Sequence, residues 1–383
     1  MTQRPSTSPQ RGFSLIEIMI GLVIGMLSIL TVLQLYLKGD IQSRVTTHGN
    51  DAQVSATMAT HELGRSIRQA GYGLNAFRLL GCSLTYTTLT DKASVTLTAL
   101  APITVNPASS MVPKGDANTD TLLVVSGNAN VTSEGDPLTT TPTASGTGTA
   151  FTATTHGYFG AGDWVVPAPL TRGTSCALYM GTVTSVDDGV QLSTSANNAT
   201  TSVGADAVLY NLGSAPSILA WAVRNGQLTV CDYLRYQCGL SSYTSNQTVW
   251  VPVVSRIVSL RAQYARDTSG ISGSTSRMTG VADTYDQLTP GSSNDTSSIA
   301  LACRWARVIG ARFAVVGRSQ HTDTSYTATN PTWSGSSGAA IDLSNSNTGW
   351  QRFRYRLLET TMPLRNIIWQ GSQTTYQGGD SGC

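Results

Sequence analysis

Residues 13–37, FSLIEIMIGLVIGMLSILTVLQLYL, form an apolar run of 25 residues with one charged side chain, Glu17. An α-helix of this length extends about 37 Å, which exceeds the roughly 30 Å of a bilayer's hydrocarbon core. The preceding residues 1–12 carry Arg4 and Arg11 and no acid, so we expect them to stay in the cytoplasm and the rest of the chain to lie across the membrane. No small-residue cleavage site follows Leu37, so the apolar helix is expected to be retained.

Glu17 is an unusual residue for such a segment. A carboxylate costs about 2.5–3.5 kcal/mol at the centre of a bilayer, so it usually has a partner. Residues 13–37 contain no basic side chain. Cleavage of the Gly12–Phe13 bond would create a positive α-amino group four residues before Glu17, able to pair with Glu17 of the same or a neighbouring chain. The alternative is a signal anchor in which Glu17 lies near the lipid headgroups and has no further role.

The apolar pattern becomes amphipathic beyond Leu37. Apolar residues recur every three or four positions, at Ile41, Val45, Ala56, Ala59, Leu63, Ile67 and Ala70. We therefore predict one helix from Phe13 to about Ala70, weakened at Gly39 and Gly49 and ended by Gly71 and Gly73. Its second half, residues 38–72, is expected to pack on a globular domain.

Residues 79–383 are rich in Thr, Ser and Gly and contain short β-branched and aromatic runs, which is typical of antiparallel β structure. The predicted strands are residues 121–125, 164–167, 177–186, 207–212, 218–223, 227–233, 250–264, 307–318 and 353–361. Asn225-Gly226 predicts a tight hairpin turn. Residues 132–155, 267–298 and 320–349 are predicted to be long loops. The fold class is therefore α+β, a long helix packed on a mostly antiparallel β domain.

Three late strands alternate between apolar and arginine-bearing positions. The predicted apolar faces contain Val258, Leu260, Ala262 and Tyr264, then Ala311, Phe313 and Val315, then Phe353, Tyr355 and Leu357. Opposite them lie Arg261, then Arg312 and Arg318, then Arg352, Arg354 and Arg356. This arginine face is predicted to be solvated, and the alternative is a basic surface for an acidic subunit or for DNA.

The net charge of +2 gives no support to nucleic-acid binding. Both excess positive charges lie in residues 1–12, and the rest of the chain has 22 basic and 22 acidic residues. A protein that neutralises phosphates normally carries a basic excess. The charge balance therefore does not support DNA as a partner.

Six cysteines without a C-x-x-C pair favour disulfides formed outside the cytoplasm over a zinc ribbon. Cys231 and Cys238 follow the hairpin closely and are predicted to close a small loop. The pairing of Cys82, Cys176, Cys303 and Cys383 has three solutions that the sequence does not rank.

The sequence contains no complete motif for a metal site, a phosphate-binding site or a catalytic nucleophile. His48, His61, His156 and His321 lack metal-ligand spacing. Residues 116–120, DANTD, open like a calcium loop, but Thr121 and Gly127 stand where such a loop needs Gly and Glu, so a turn is the preferred interpretation. Phosphate-binding loops and nucleophile elbows are missing. We expect no metal, no cofactor and no catalytic residues, and so no enzyme.

Gly12, Phe13 and Glu17, between a short basic leader and a long apolar helix, resemble the type IV prepilin family. The resemblance implies that a prepilin peptidase cuts after Gly12 and N-methylates Phe13, and that Glu17 guides docking into a growing filament. Residues 230–232, 257–267, 311–319 and 355–366 resemble PilW-type minor pilins, which are related to the J-type pseudopilins of type II secretion.

These resemblances imply a minor pilin that primes or caps a type IV pilus, in adhesion and twitching motility. Its partners would be the prepilin peptidase, other minor pilins, the major pilin and a large tip adhesin. Before assembly it would sit in the inner membrane with its β domain in the periplasm, and afterwards at the pilus tip. The alternatives are a J-type secretion pseudopilin and a tip module that binds DNA or surfaces.

Overall fold

The computed structural model describes residues 12–74, 76–128, 135–145, 148–173, 176–186, 190–193, 203–269, 278–297, 299–323, 326–336 and 339–367. Within these, only the backbone is described for residues 40–48, 145, 156, 190–193 and 336. The chain forms one long N-terminal helix and a mostly antiparallel β domain, so the α+β prediction is confirmed.

Helix α1 (Leu15–Gln69) contains 55 residues and spans about 82 Å. It begins two residues later than predicted, because Ser14 has extended dihedral angles. It passes through Gly39 and Gly49 without interruption. The helix ends just before Gly71 and Gly73, whose φ angles of +80° and +72° lie in the left-handed region that glycine adopts at low cost.

The β domain contains strands in four sheets and a short second helix. In chain order the elements are β1 (Ser83–Thr87), β2 (Ser94–Leu97), β3 (Ile103–Val105), β4 (Leu122–Ser126), β5 (Asp136–Pro137), β6 (Thr143–Ser145), β7 (Gly148–Phe151), β8 (Trp164–Ala168), β9 (Ala177–Tyr179), β10 (Gly181–Val186), β11 (Val190–Ser193), β12 (Val208–Gly213), β13 (Ser217–Arg224), β14 (Gln227–Asp232), β15 (Val251–Ser255), β16 (Ile257–Arg266), β17 (Thr284–Asp286), α2 (Leu301–Ala306), β18 (Val308–Arg318) and β19 (Tyr355–Pro363).

Two sheets pack against the second half of α1. A five-stranded sheet has the order β15-β14-β13-β4-β3, and a four-stranded sheet has the order β17-β16-β18-β19. Their inner faces share one apolar core with the helix, in which Leu63, Ile67, Trp221, Leu260 and Phe313 are buried. Burial of these side chains ties the helix to both sheets.

The chain between β4 and β13 forms a sheet that closes on itself. Seven strands follow the order β5-β12-β8-β10-β11-β7-β6, and Leu138 just after β5 bridges Ala153 just after β7. Phe151, Val165 and Leu209 fill the interior of the resulting small barrel. Trp164, which belongs to the same sheet, packs on the other side in a second core, which includes Leu123 and Ala220 of the five-stranded sheet. The barrel is therefore an insertion that packs on the domain rather than a separate appendage.

The third sheet is small and contributes Leu84 and Leu178 to this second core. Its order is β2-β1-β9, and β1 and β9 pair in parallel. Every other strand pair in the described part of the chain is antiparallel.

Several predicted elements differ in the structure. The strand predicted at 250–264 is broken at Arg256, whose φ of +63° turns the chain from the five-stranded into the four-stranded sheet. The strand predicted at 177–186 is broken at Met180 and also serves two sheets. The predicted loop at 132–155 was wrong where β5, β6 and β7 lie. β9 and β16 pair with strands that are distant in sequence, so these partners decide where the two elements begin and end.

Candidate assembly site

The N-terminal end of the described chain exposes the residues predicted to direct processing and assembly. Gly12 and Phe13 precede α1, and the Phe13 side chain is 81% exposed. Glu17 lies in the first helical turn, where its amide N donates to the Ser14 carbonyl at 2.9 Å. Among the described residues, the exposed Glu17 carboxylate has no ion-pair partner. The Phe13 nitrogen is still an amide here, so a pair with Glu17 requires cleavage first.

The first half of α1 is an apolar rod that nothing in the described structure covers. The segment Leu15–Gly39 is long and apolar enough to cross a membrane, and none of it is buried within the chain. Its large side chains are exposed on all sides of the helix. A helix that is apolar all round needs lipid or other protein around it. This segment is therefore the first candidate interaction surface.

The second half of α1 is held in place by close packing. The predicted stripe residues Ala56, Ala59, Leu63, Ile67 and Ala70 are all fully buried. Ile41 and Val45 lie outside the described side chains. This packing fixes the second half of α1 to the β domain.

One contact sets how closely the helix approaches the four-stranded sheet. A Cβ added to Gly317 of β18 would lie 2.4 Å from the Ala52 carbonyl oxygen and 3.0 Å from the Ala56 nitrogen. Both of these are backbone atoms, which a side-chain rotation cannot move away. A glycine at this position therefore allows the helix backbone to contact the strand.

The predicted arginine face is largely occupied by the protein itself. Arg261 pairs with Asp120 at 3.4 Å and Arg354 with Asp323 at 2.8 Å. The guanidinium of Arg312 lies 4.1 Å from the Tyr285 ring centroid and donates to the Gln263 side chain. Their charges are thus paired or covered within the chain, and we find no free basic surface formed by these three arginines.

Apolar side chains also lie on this arginine face. Trp333, Ile341 and Leu343, from the chain between β18 and β19, pack on Val258 and Val316. The predicted inner position of Val258 was wrong, because the register of β16 shifts between Ile257 and Ser259. A bulge reverses the side on which the following residues point. The sheet consequently has an apolar cluster on both faces.

The remaining predicted positions on these strands divide between the two faces. Leu260, Ala262, Tyr264, Ala311, Phe313 and Val315 belong to the inner core. Tyr355 and Leu357 pack instead with the outer cluster. Arg318 stacks on Phe353 at 4.4 Å, whereas Arg352 and Arg356 are exposed.

The DANTD motif is a structural junction. The Asp116 carboxylate accepts hydrogen bonds from the amides of Asn225 and Gly226 at 2.9 and 2.8 Å, so it caps the predicted hairpin turn. Burial lowers the pKa of the neighbouring Arg224 guanidinium, and the Asp116 charge opposes that shift. No group of three or more metal-ligating side chains occurs in the described part of the chain.

Asp120, at the end of the motif, is also used for packing. It accepts from the Ala262 amide at 2.9 Å, from Gln287 at 2.7 Å and from Asn106 at 3.0 Å. The spacing of the motif thus serves to join β4 to the hairpin and to β16. The sequence contained no local signal for these partners, because they lie far away along the chain.

We expect Asp116→Ala to destabilise the hairpin without changing any response to calcium. Two charge-assisted hydrogen bonds are lost, which lowers the free energy of unfolding by about 1–3 kcal/mol. Denaturant unfolding of the full chain in detergent measures this, with and without Ca²⁺. Asp206→Ala is the control, because Asp206 is exposed and no hydrogen bond of its side chain is seen among the described residues. A calcium-dependent rise in wild-type stability that Asp116→Ala removes would contradict the structural role.

One local and one long-range disulfide are described in the β domain. Cys231 and Cys238 are bonded with Cα atoms 6.0 Å apart, and Cys82 is bonded to Cys176 with Cα atoms 4.8 Å apart. The second bond links the loop after α1 to the chain before β9. Cys303 in α2 is also in a disulfide, and Cys383 lies outside the described residues.

The first half of α1 is an exposed apolar helix with one acidic residue, Glu17, in its first turn. Joined to a β domain, such a helix is the architecture of a pilin-like protein. Residues 7–33 match the prokaryotic N-terminal methylation motif, and residues 230–366 match the type IV pilus-assembly protein W family, PilW. No curated protein and no solved structure matches the chain significantly. The two matches confirm the resemblance seen in the sequence and support a type IV minor pilin with a PilW-type C-terminal region.

The matches also indicate the class of activity to expect. Both families consist of structural pilus components and are not known as enzymes. The apolar helix and the methylation motif are consistent with anchoring in the inner membrane and with pilus assembly. The barrel, between β4 and β13, lies outside both matched regions.

Proposed function

We propose that this chain is a minor pilin that primes or caps a type IV pilus within a tip complex. The observation that carries the proposal is the fully exposed apolar helix, with Glu17 as its one acid between Leu15 and Leu37, placed directly after the Gly12–Phe13 bond. Residues 1–12 would be the leader, 13–37 the membrane and filament-core segment, 38–72 the packed half of the helix, and 79–383 the periplasmic or extracellular domain.

Processing supplies the positive charge that the apolar segment lacks. The prepilin peptidase cuts after Gly12 and methylates the new amine of Phe13, which keeps its positive charge. That amine pairs with Glu17 of its own or a neighbouring subunit, which offsets the cost of an unpaired carboxylate in an apolar environment. The helix then leaves the membrane for the filament, where other minor pilins and the major pilin cover its apolar sides.

The β domain would provide the contacts that distinguish this subunit. It packs on the buried second half of α1, so docking of the helix brings the β domain beside the neighbouring subunits. Its barrel insertion suits a subunit present in few copies at the filament end, where a large tip adhesin is a further proposed partner.

Two experiments test this function. Deletion of the gene should abolish or strongly reduce surface pili while leaving exoprotein release normal. The opposite result, loss of exoprotein release with normal pili, would identify a secretion pseudopilin instead. Loss of neither would contradict both assignments.

The mature N-terminus provides a biochemical prediction. Mass spectrometry of the protein from its natural cells should find a chain that begins at Phe13 and carries one methyl group on the terminal nitrogen. Cells without the prepilin peptidase should retain residues 1–12. An intact leader in normal cells would contradict the proposed pairing of the Phe13 amine with Glu17.

DNA capture receives no support from the site. Arg261, Arg312 and Arg354, which suggested a basic face, are paired or covered within the chain. Outside the leader the basic and acidic residues are equal in number. We therefore expect binding measurements at different salt concentrations to exclude DNA as a ligand.

A further inference from the structure

An open polar cleft of about 580 Å³ lies at the C-terminal end of α1. Its walls come from four separate parts of the chain: the end of the helix, the end of β4 with the residues that follow it, the start of β13, and the segment after β19. Its polar lining residues include Arg68, Gln69, Ser126, Asn128, Ser217 and Asn366. It shares no residue with the apolar rod.

The cleft is positively charged and lined with amides. No acidic residue lies among its described lining residues. Arg68 is exposed, and the one hydrogen bond of its side chain seen among the described residues is donated by Nη1 to the Met362 sulfur at 4.0 Å.

The wall of the cleft is formed before any partner arrives. The Asn366 amide donates to the carbonyls of Gln69 at 3.2 Å and Ala70 at 3.0 Å, which fixes the chain after β19 to the helix end. Arg68 in the last helical turn also complements the helix dipole. That interaction leaves the outward N–H donors of its guanidinium available for a carboxylate.

The chemistry of the cleft favours a peptide over a lipid or a nucleic acid. Side-chain amides and hydroxyls match the hydrogen bonds of an extended polypeptide, and a guanidinium binds a carboxylate in two-pronged geometry. Arg68 lies about 44 Å along the helix from Gly39, too far for the headgroups of the membrane that holds residues 15–39. A single lining arginine is a weak match for the repeated phosphates of DNA.

We propose that this cleft receives an extended segment of a neighbouring pilin subunit, with an aspartate or glutamate of that segment on Arg68. The proposal rests on the proposed function, because it requires a partner subunit beside this one. It adds a second contact, at the far end of the helix from Glu17.

Site-specific photo-crosslinking of the full chain in its natural cells tests the cleft. A benzophenone side chain placed at Ser217 should crosslink to another pilin subunit, and peptide mapping should place the crosslink close to an Asp or Glu of that subunit. The same probe at Thr361, which is exposed outside the cleft, should not give this product. Arg68→Glu should reduce the Ser217 crosslink by about tenfold, because the charge is reversed at the contact.

Matched variants separate the cleft from general charge effects. Arg65→Glu, one turn earlier and outside the lining residues, should leave the crosslink unchanged, and Arg68→Gln should reduce it less than Arg68→Glu. Equal loss in Arg65→Glu, an unchanged crosslink in Arg68→Glu, or products formed only with this same chain or with DNA would overturn the proposal. Pili counted in the deletion strain report on the proposed function separately.

Discussion

A chain carrying Glu17→Gln is expected to be cleaved after Gly12 and methylated on Phe13, yet to support few or no surface pili. Glutamine has nearly the same size as glutamate, so helix α1 and its apolar surface are kept. Only the negative charge is lost, and with it the partner of the Phe13 amine. An unpaired ionised group in an apolar environment costs several kcal/mol, so we expect pili to fall by about a hundredfold or more.

Electron microscopy of surface pili and mass spectrometry of the membrane fraction measure assembly and processing in the same cells. Glu62→Gln is the matched control, since Glu62 is on the same helix but beyond the apolar segment, 3.6 Å from His61. Its pili should be normal. Normal piliation in Glu17→Gln would show that the acid has no role in docking.

Gly317→Val is expected to destabilise the β domain by about 2–4 kcal/mol, which is large for a single substitution. The new Cβ would lie 2.4 Å from the Ala52 carbonyl oxygen, so the helix backbone has to move away from β18. That displacement opens the core shared by Leu63 and Phe313. The assembled filament would then be affected indirectly, because the β domain no longer follows the helix.

Denaturant unfolding of the full chain in detergent measures the loss of stability, and protease sensitivity near α1 reports its site. Gly157→Val is the control, because nothing lies within 4 Å of a Cβ at Gly157. It should change the free energy of unfolding by less than about 0.5 kcal/mol. Equal stability of the two variants would show that the helix is not held by close contact at Gly317.

Local patterns predicted the elements that short-range forces control. Asn225 and Gly226 adopt φ angles of +53° and +69°, as expected for a tight hairpin, and the two strands pair on either side of them. The helix ends before Gly71, where its periodicity stops. These features depend on the conformational preferences of a few adjacent residues, so they could be derived without a partner.

The candidate site was predictable only in part. One part of the site is a local motif, made of Gly12, Phe13, Glu17 and the apolar run. Because these residues are close together in sequence, their spacing alone predicts where processing and docking take place. The polar cleft was not predictable, because Arg68, Ser126 and Asn366 are brought together from three separate parts of the chain. Arg65 and Arg68 near the helix end gave no signal for a cleft, because basic residues at that position also complement the helix dipole.

The amino-acid sequence alone therefore determined the membrane-length helix, its one acid and the β character of the domain, since hydrophobicity, charge and turn preference act over a few residues. The tertiary structure alone decided that the inserted sheet closes through Leu138 and Ala153, and that Arg312 lies under Tyr285 and not in solvent. Both outcomes depend on contacts between residues far apart in the chain. Such contacts form only once the backbone has been placed, because strand pairing and register decide which side chains meet.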